Sequence, residues 1–506
     1  MSFLNELEKN ILTDYNKSVT ENGAVGYKTT GKEILDMNFK ISSYRNMSEE
    51  EIIEDFKQVF FSDKTLALQF LFYIRDREEG LGERRTFRVI FKSLANAYPG
   101  YARKLIPIVA EYGRFDDLLP LLETNLKQEV ADYLIDTMIS DYELMQENKP
   151  ISLLAKWLPS INASNEQTKR YAKTLIVYLQ KRDRTFNEKR YRKALSKMRN
   201  YIDVVEKKMC ANEWDKIKYE TVPSKANLIY KDAFLKHDEE RRQQYLESLQ
   251  KGETKINASK LFPYEIYHKV TKNDTTLEEL WKHLPDLKNK SDSALVVADG
   301  SGSMNWESLS GSGVTALDVA NSLAIYFAER ANSEFKNKYI TFSSHPQLVN
   351  LGDNTSLYEK KQIALRHNEC SNTNIEATFD LILNTAIKAE MKQEDLPKTL
   401  LILSDMEFDS ATDSNFRYGG ESLFKTIERK YKNAGYKLPK LVFWNICGRT
   451  NTIPVLENDL GVALVSGFST NIFDMVLSNK LDPLETLLDK LNAKRYLKIK
   501  EIIEQE

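Results

Sequence analysis

The sequence predicts two structural classes in series: a mostly helical part, followed by an α/β part built on a mostly parallel sheet. Only eight of the 19 glycines lie in residues 1–289, whereas eleven lie in residues 290–506. Glycine disfavours helices and serves turns. Helix-like hydrophobic spacing dominates the first region, and strand-like and helix-like segments alternate in the second. We therefore expect an α-solenoid joined to a doubly wound sheet.

The helical part follows an N-terminal arm, residues 1–45, whose polar and mixed composition leaves its order open. In TLALQFLFYIRD (65–76) and RRTFRVIFKSLANAY (84–98), apolar residues recur at three- and four-residue steps, as on one face of a helix. Short helices joined by polar turns, without a strict repeat period, predict an irregular HEAT-like α-solenoid over residues 46–288. The sequence leaves open whether these helices close into a ring or form an open arc.

The α/β part is predicted over residues 289–480. ALVVAD (294–299) and TLLILSD (399–405) are apolar almost without interruption, which is typical of strands buried on both faces. Further strands are predicted at YITFSS (339–344), LVFWNIC (441–447) and VALVSG (462–467), and helices at 314–331, 377–390 and 421–435. This alternation predicts a doubly wound, mostly parallel sheet. Residues 481–506 are predicted as a C-terminal helix that packs back on the helical domain.

Composition excludes several classes of protein. The chain has 72 Lys and Arg against 74 Asp and Glu, a net charge of −2, which argues against a wholly basic nucleic-acid coat. Its three cysteines are far apart, which argues against a disulfide framework and favours a reducing compartment. No stretch approaches the ~18–20 apolar residues that a membrane span needs, and the first residues show no signal-peptide pattern. We therefore expect a cytoplasmic protein.

Oxygen-bearing side chains close the predicted strands. Asp299, Ser301 and Ser303 end the first strand, Asp405 ends another, and Thr373 precedes a helix. In a doubly wound sheet these positions meet at the carboxyl edge, where ligands bind. Hydroxyl and carboxylate oxygens suit Mg²⁺, Mn²⁺ or Ca²⁺ better than zinc or copper. The pattern predicts a cation held by the three hydroxyls, with the two aspartates accepting hydrogen bonds from bound waters and one position open to an acidic partner group.

Two alternatives stay open for this motif. Asp299 and the two serines could simply cap the helix that follows and hold an empty turn. In addition, Ser371 and Thr378 are neighbours of Thr373 and offer the same hydroxyl group.

The segment DGSGSM (299–304), with Thr373 and Asp405 behind it, resembles the metal-ion-dependent adhesion site of von Willebrand factor A domains, DxSxS followed by Thr and Asp. The resemblance covers roughly residues 290–480 and includes the order of strands and helices. It implies a magnesium-dependent site that binds a partner carboxylate.

The first half resembles TROVE-module proteins, the Ro autoantigen group, and most of all their bacterial, phage and plant relatives of unknown function. RDREEGLGERRTFRVIF (75–91) and EYGRFDDLLPLL (111–122) resemble the Ro group, and the likeness to those relatives is carried by LLAKWLPS (153–160), YRKALSKMRNYIDVVEKKM (191–209), VPSKANLIY (222–230), FPYEIYHK (262–269) and LLILSDMEFD (400–409). The resemblance implies RNA, single-stranded or structured, on a basic inner surface of a helical ring. It transfers no individual RNA-binding residue.

One segment supplies the positive charge that RNA binding requires. Residues 181–210 contain eleven basic and four acidic residues, a net charge of +7. Basic side chains on one helix face neutralise backbone phosphates. The predicted RNA contacts are Lys181, Arg182, Arg184, Lys189, Arg190, Lys193 and Lys197. The alternative is a charged helix face that only contacts solvent.

The sequence contains no catalytic signature. It has no phosphate-binding glycine loop and no histidine pair at helical spacing for a zinc protease. Hydroxyl-rich coordination does not supply the several carboxylates of a two-metal phosphoryl-transfer site. We therefore expect no enzyme and weigh two hypotheses: a non-enzymatic, ribonucleoprotein-type RNA-binding ring or arc with a magnesium-dependent adhesion site, or a protein-interaction scaffold without nucleic-acid binding whose metal site grips a partner carboxylate.

Overall fold

The structure is a computed structural model of the 506-residue chain. It describes residues 15–286, 294–305, 307–309, 312–331, 334–342, 345–409, 423–448, 453–454, 462–467 and 482–505. These residues form two compact units: the first draws on the ranges Met1–Glu51, Lys57–Ser62 and Leu261–Asn492, and the second on Ile52–Phe56, Asp63–Lys260 and Ala493–Glu506.

The helices described are α1 (Glu33–Phe39), α2 (Glu49–Ser62), α3 (Lys64–Arg75), α4 (Arg84–Ala97), α5 (Pro99–Leu105), α6 (Val109–Tyr112), α7 (Lys127–Gln146), α8 (Leu154–Trp157), α9 (Glu166–Arg182), α10 (Glu188–Tyr201), α11 (Val205–Cys210), α12 (Ser224–His237), α13 (Glu239–Gln250), α14 (Pro263–Tyr267), α15 (Thr275–Lys282), α16 (Ala316–Arg330), α17 (Leu357–Arg366), α18 (Ile375–Lys388), α19 (Leu423–Asn433), α20 (Pro483–Leu491) and α21 (Lys494–Glu504). The strands are β1 (Lys17–Val19), β2 (Val25–Tyr27), β3 (Ala294–Asp299), β4 (Glu307–Leu309), β5 (Val314–Thr315), β6 (Lys338–Phe342), β7 (Gln347–Asn350), β8 (Thr399–Ser404), β9 (Lys440–Asn445) and β10 (Val462–Ser466).

The first unit contains a six-stranded sheet in the order β10-β9-β8-β3-β6-β7, in which only the β6–β7 pair is antiparallel. From β3 the chain passes to β6 on one side and later to β8 on the other, which is the change of direction typical of doubly wound sheets. Ala298 on β3 pairs with Leu403 on β8, so these strands end level with each other. The predicted fold class, a helical part followed by a doubly wound parallel sheet, is confirmed.

Three local features of the structure differ from what the sequence predicts: the start of one helix, one edge strand and an N-terminal hairpin. The predicted helix 314–331 begins at Ala316, because Val314 and Thr315 form β5 and pair with β4. Strand β7, the antiparallel edge strand, is half-exposed and lacks the continuous apolar run that identified the buried strands. The hairpin β1–β2 lies within the segment interpreted as the N-terminal arm, whose residues 1–14 lie outside the described residues.

The hairpin β1–β2 adds backbone pairings to the sheet unit. Tyr27 pairs with Ile453, and each amide donates to the other residue's carbonyl at 2.8 Å. Gly23, at the turn, forms a bridge with Asp409, just beyond the end of β8. The hairpin is therefore fastened at two places to the same unit as the strand ends.

The second unit is helical and is held by an aromatic core and buried ion pairs. The ring of Phe72 on α3 lies 5.1–6.4 Å from the rings of Phe87, Phe91 and Tyr112. Arg75 Nε binds Asp117 Oδ2 at 2.7 Å with both side chains buried. Helix α21 packs against α3 and α5 within this unit. Within the described residues, no helix combines the length and apolar character needed to cross a membrane.

Candidate functional site

Asp299 closes β3 as a buried carboxylate held on both oxygens. Its Oδ1 accepts a hydrogen bond from the Ser301 amide at 2.9 Å, and its Oδ2 accepts one from the Ser404 hydroxyl at 2.5 Å. Burial, together with the nearby Asp405 carboxylate, raises the pKa of Asp299 to about 7, against the lowering effect of these hydrogen bonds. Two buried carboxylates that repel each other electrostatically favour a cation beside them.

Ser301 and Ser303 place two hydroxyls side by side. Their Oγ atoms lie 3.0 Å apart, Ser301 is buried, and Ser303 is half-buried. In an octahedral Mg²⁺ shell with bonds of about 2.1 Å, neighbouring ligand oxygens lie about 3.0 Å apart. The two hydroxyls form a hydrogen bond with each other at this distance, and the same spacing and chemistry would also suit two neighbouring magnesium ligands.

The capping alternative for this motif finds little support around α16. That helix begins at Ala316, and its N-cap is Thr315, whose hydroxyl accepts a hydrogen bond from the Asp318 amide. The turn that follows Asp299 directly, Gly302–Asn305, is a short 3₁₀ segment. Asp299 instead binds the amide two residues ahead of it and a hydroxyl from a neighbouring strand.

The loop that carries Thr373 packs directly on the DGSGS turn. The Cys370 amide donates to the Gly300 carbonyl, and the Gly302 amide donates to the Ser371 carbonyl, both at 3.0 Å. A Cβ on Gly302 would lie 3.0 Å from the Cys370 carbonyl oxygen, so the close approach favours glycine there. Thr373 itself is buried.

The alternative hydroxyls differ from Thr373 in their surroundings. Ser371 is exposed, and its backbone carbonyl is the part that contacts the turn. Thr378 is buried within α18, at the end of the first turn of that helix. The assignment of Thr373 as a ligand stays a prediction, and its burial at the loop contact supports it.

Asp405 follows β8, next to the end of β3. Its Oδ1 accepts a hydrogen bond from the Glu407 amide at 3.2 Å, and the side chain is buried. Met406, between them, has φ of +65°, a left-handed conformation that strains a side-chain-bearing residue. Cys370 in the opposite loop has φ of +53°. Strained backbone in both loops is typical of sites where tertiary structure holds a functional geometry.

The structure thus brings Asp299, Ser301, Ser303 and Asp405 to adjoining strand ends and packs the Thr373 loop on the same turn. Sequence reasoning missed two contributors. Ser404 directly precedes Asp405 at the end of a predicted strand, so the sequence could have placed it at the same edge of the sheet. Asn22 donates to the Thr373 hydroxyl from 351 residues away, and no sequence signal connects the two.

The donor set is dominated by hydroxyls. Within the described residues, no three His, Cys, Asp or Glu side chains lie close enough together to hold a metal ion. A cation at the strand ends would therefore depend on Ser301, Ser303 and Thr373 as direct ligands. Neutral ligands leave most of the charge of the ion available to a partner group.

The predicted basic segment lies on α9, α10 and the turn between them. Tyr191, Leu195 and Met198 form the buried side of α10. All seven predicted RNA contacts are exposed: Lys181, Arg182, Arg184, Lys189, Arg190, Lys193 and Lys197.

These seven side chains differ in how far other groups already engage them. Arg182 forms ion pairs with Asp132, at 2.7 Å, and with Asp136. Arg190 contacts Asp183 at 3.5 Å.

Two lysines of the set lie over tyrosine rings: Lys181 Nζ is 4.1 Å from the ring centre of Tyr178, and Lys197 Nζ is 5.1 Å from that of Tyr142. For Arg184, Lys189 and Lys193, no acidic side chain among the described residues lies within ion-pair distance.

Comparisons with known proteins cover most of the chain. Residues 124–300 match the family described as Domain of unknown function (DUF2828), and residues 293–501 match Domain of unknown function (DUF7788). Neither description states an activity. The chain is 29% identical over 520 residues to the Uncharacterized protein L728 of Acanthamoeba polyphaga mimivirus, a match that covers 94% of this chain and 87% of that protein.

Among solved structures, the chain is similar to the crystal structure of the Deinococcus radiodurans RO (RSR) protein. The TM-score is 0.43 at 12% sequence identity, and the match covers 87% of this chain and 93% of that one.

Proposed function

We propose that this chain is a non-enzymatic binding protein that captures an acidic group of a partner protein through a Mg²⁺ ion at the strand-end site. The observation that carries the proposal is the Ser301–Ser303 hydroxyl pair, 3.0 Å apart, beside the buried Asp299. A bound magnesium ion would supply a strongly electrophilic position for a carboxylate.

Each residue has a stated role in this proposal. Ser301, Ser303 and Thr373 would hold the ion directly. Asp299 and Asp405 would balance its charge and accept hydrogen bonds from its waters. Asp299 also holds the turn, because its carboxylate accepts hydrogen bonds from the Ser301 amide and the Ser404 hydroxyl. Mn²⁺ and Ca²⁺, which also prefer oxygen ligands, are the alternative ions.

Titration calorimetry of the full chain with Mn²⁺ alone tests the metal site. We expect one site in the unaltered protein and no measurable binding in the double variant Asp299→Ala/Ser301→Ala. Circular dichroism must show that the variant keeps its fold. If the double variant unfolds, the single variant Ser303→Ala replaces it, and we expect weaker Mn²⁺ binding. Equal affinity in folded variants, or no binding by the unaltered chain, rejects the site.

Capture of an acidic group needs a second measurement. A biotinylated glutamate-rich peptide should retain the chain in Mg²⁺ and release it when EDTA is added. A lysine-rich peptide of the same length is the matched control. Retention that survives EDTA would show that simple charge attraction, and not the metal site, binds the peptide.

A second function, RNA binding, is supported by a different observation: Arg184, Lys189 and Lys193 are exposed and carry no acidic partner among the described residues. Unpaired cations close together along one stretch are suited to backbone phosphates. This contact would be sequence-independent, because phosphates carry no base information.

A gel-shift assay with a 30-nucleotide single-stranded RNA tests this function. We expect a shift at low salt that weakens as salt rises, and its loss in the variant Arg184→Glu/Lys189→Glu/Lys193→Glu. The variant Lys127→Glu/Lys251→Glu/Lys255→Glu changes the net charge equally at exposed lysines of the same unit and serves as the control. If RNA fails to bind at low salt while the acidic peptide is retained in Mg²⁺, the chain is a protein-interaction scaffold only.

A further inference from the structure

The tip of the hairpin β1–β2 contacts the Thr373 loop and the segment that follows β8. Asn22 Nδ2 donates to the Thr373 hydroxyl at 3.1 Å and to the Glu407 carbonyl at 2.6 Å. Thr20 Oγ1 donates to the Phe408 carbonyl at 2.6 Å. The hairpin therefore reaches the candidate metal site from a segment that the sequence leaves without any assigned role.

Neighbouring contacts anchor the same tip. The Glu21 amide donates to Glu407 Oε2 at 2.8 Å, and the Ala24 amide donates to the Phe408 carbonyl at 3.4 Å. The Asp409 amide, in turn, donates to the Thr373 carbonyl at 2.9 Å. Residues 407–409 thus lie between the hairpin and the Thr373 loop and bind both.

The hydrogen bond to Thr373 has a direct consequence for its hydroxyl. A threonine oxygen has two lone pairs and one proton. The Asn22 amide takes one lone pair and fixes the rotamer, which leaves the second lone pair for a cation. Partners that orient a ligand group in this way change metal affinity by about 10–100-fold when they are removed.

We propose that Asn22 is a positioning residue for the Thr373 hydroxyl, so that docking of the hairpin β1–β2 and cation binding at the strand-end site strengthen each other. This inference rests on the proposed metal site. Because coupling between two binding events is reciprocal, a cation that binds better when the hairpin is docked also holds the hairpin in place.

The first experiment compares Mn²⁺ affinities of the full chain by calorimetry. We expect Asn22→Ala to bind about tenfold more weakly than the unaltered protein. Ser322→Ala is the control, because it removes a buried hydroxyl that donates to the Val319 carbonyl within α16 and leaves the contacts of the hairpin in place. It should bind Mn²⁺ with an affinity within about twofold of that of the unaltered protein, because a substitution at a distant, independent site leaves the binding free energy nearly unchanged.

A double-mutant cycle shows whether Asn22 acts through Thr373. In the background of Thr373→Val, the change Asn22→Ala should have no further effect on Mn²⁺ affinity, because the hydroxyl that it positions is gone. An equal tenfold loss in both backgrounds would mean that Asn22 acts by some other route and overturns the proposal.

Hydrogen exchange supplies the reciprocal readout. In the unaltered chain, saturating Mg²⁺ should slow exchange of the Glu21 and Tyr27 amides, which bond to Glu407 and Ile453. In Asn22→Ala this slowing should disappear, while the amides of α16 exchange as before. Slowing that persists in the variant contradicts the coupling.

Failure of this inference differs from failure of the metal site. If the unaltered chain binds Mn²⁺ but Asn22→Ala binds equally well, only the role of Asn22 is rejected. If the unaltered chain does not bind Mn²⁺, both proposals are rejected. If Asn22→Ala fails to fold, Asn22→Leu, which keeps the number and branching of the side-chain heavy atoms and removes the donor, replaces it with the same expected loss.

Discussion

The strand-end site and the basic segment differ in the burial of their side chains and in how far apart these residues lie in the sequence. At the strand ends, polar side chains from β3, β8 and the Thr373 loop are buried and held by hydrogen bonds of 2.5–3.2 Å, one of which comes from the exposed Asn22 of the N-terminal hairpin. On α9, α10 and the turn between them, the basic side chains come from residues 181–197 and are exposed. The first region is a set of oxygens held by hydrogen bonds, and the second is a set of exposed charges.

This difference separates the ligands that each region would suit. Fixed oxygens at a defined spacing discriminate between ions by size and geometry. Exposed lysines and arginines attract backbone phosphates mainly through their charge, in a manner that depends on salt and not on base sequence. Loss of one or two side chains should therefore greatly weaken cation binding at the strand ends, whereas each charge removed from the basic segment should lower RNA affinity by a small step.

The largest effect is expected when both hydroxyls are removed. Ser301→Ala/Ser303→Ala should weaken Mn²⁺ binding by at least about a hundredfold, because two of the three proposed neutral ligands are lost. Calorimetry measures the affinity. Ser322→Ala, which removes a buried hydroxyl that donates to the Val319 carbonyl in α16, should leave it unchanged. If the double variant keeps its Mn²⁺ affinity, the two hydroxyls are not cation ligands, and the strand-end site does not depend on fixed oxygens.

A graded effect is expected when charge is removed from the basic segment. For Arg184→Gln/Lys189→Gln/Lys193→Gln, the slope of log affinity for single-stranded RNA against log salt should fall in magnitude by about 2, since each phosphate contact contributes about 0.7. Fluorescence anisotropy at several salt concentrations measures the slope. The same change at Lys127, Lys251 and Lys255 should leave it unaltered, and an equal fall there would mean that overall charge alone attracts the RNA.

Ser404 tests how rigidly the strand-end site is held. Ser404→Ala leaves the buried Asp299 Oδ2 without its hydroxyl donor and should lower the free energy of unfolding by about 1–3 kcal/mol. Urea denaturation in EDTA measures this change. Ser322→Ala, whose hydroxyl binds a neutral carbonyl, should destabilise the chain less. An equal loss in the two variants would mean that the Asp299 contact is an ordinary hydrogen bond.

The smallest effect is expected at Arg182. Because Asp132 and Asp136 already bind its guanidinium, Arg182→Gln should change RNA affinity by less than about twofold, whereas Lys193→Gln should reduce it more. Anisotropy at one low salt concentration is sufficient. A larger loss at Arg182 than at Lys193 would show that RNA displaces the aspartates.

Much of the site was predictable because its chemistry is concentrated where strands end. Asp299, Ser301 and Ser303 lie within five residues, and Asp405 follows a continuous apolar run, so periodicity alone put them at one edge. Strand β7 was not predictable, because an exposed edge strand need not be uniformly apolar. The prediction treated the seven basic residues as equivalent, since the acids that pair with Arg182 lie on α7, far away in sequence.

The sequence by itself determined the division into a helical part and a doubly wound sheet, the buried strands of that sheet and the residues that line its carboxyl edge. These follow from hydrophobic period and strand ends, which are local properties of the chain. Only the tertiary structure decided which side chains touch: Ser404 on Asp299, Asn22 on Thr373, and Asp132 on Arg182. Such contacts join residues tens to hundreds of positions apart, and their hydrogen bonds depend on distances below about 3.5 Å that no local pattern encodes.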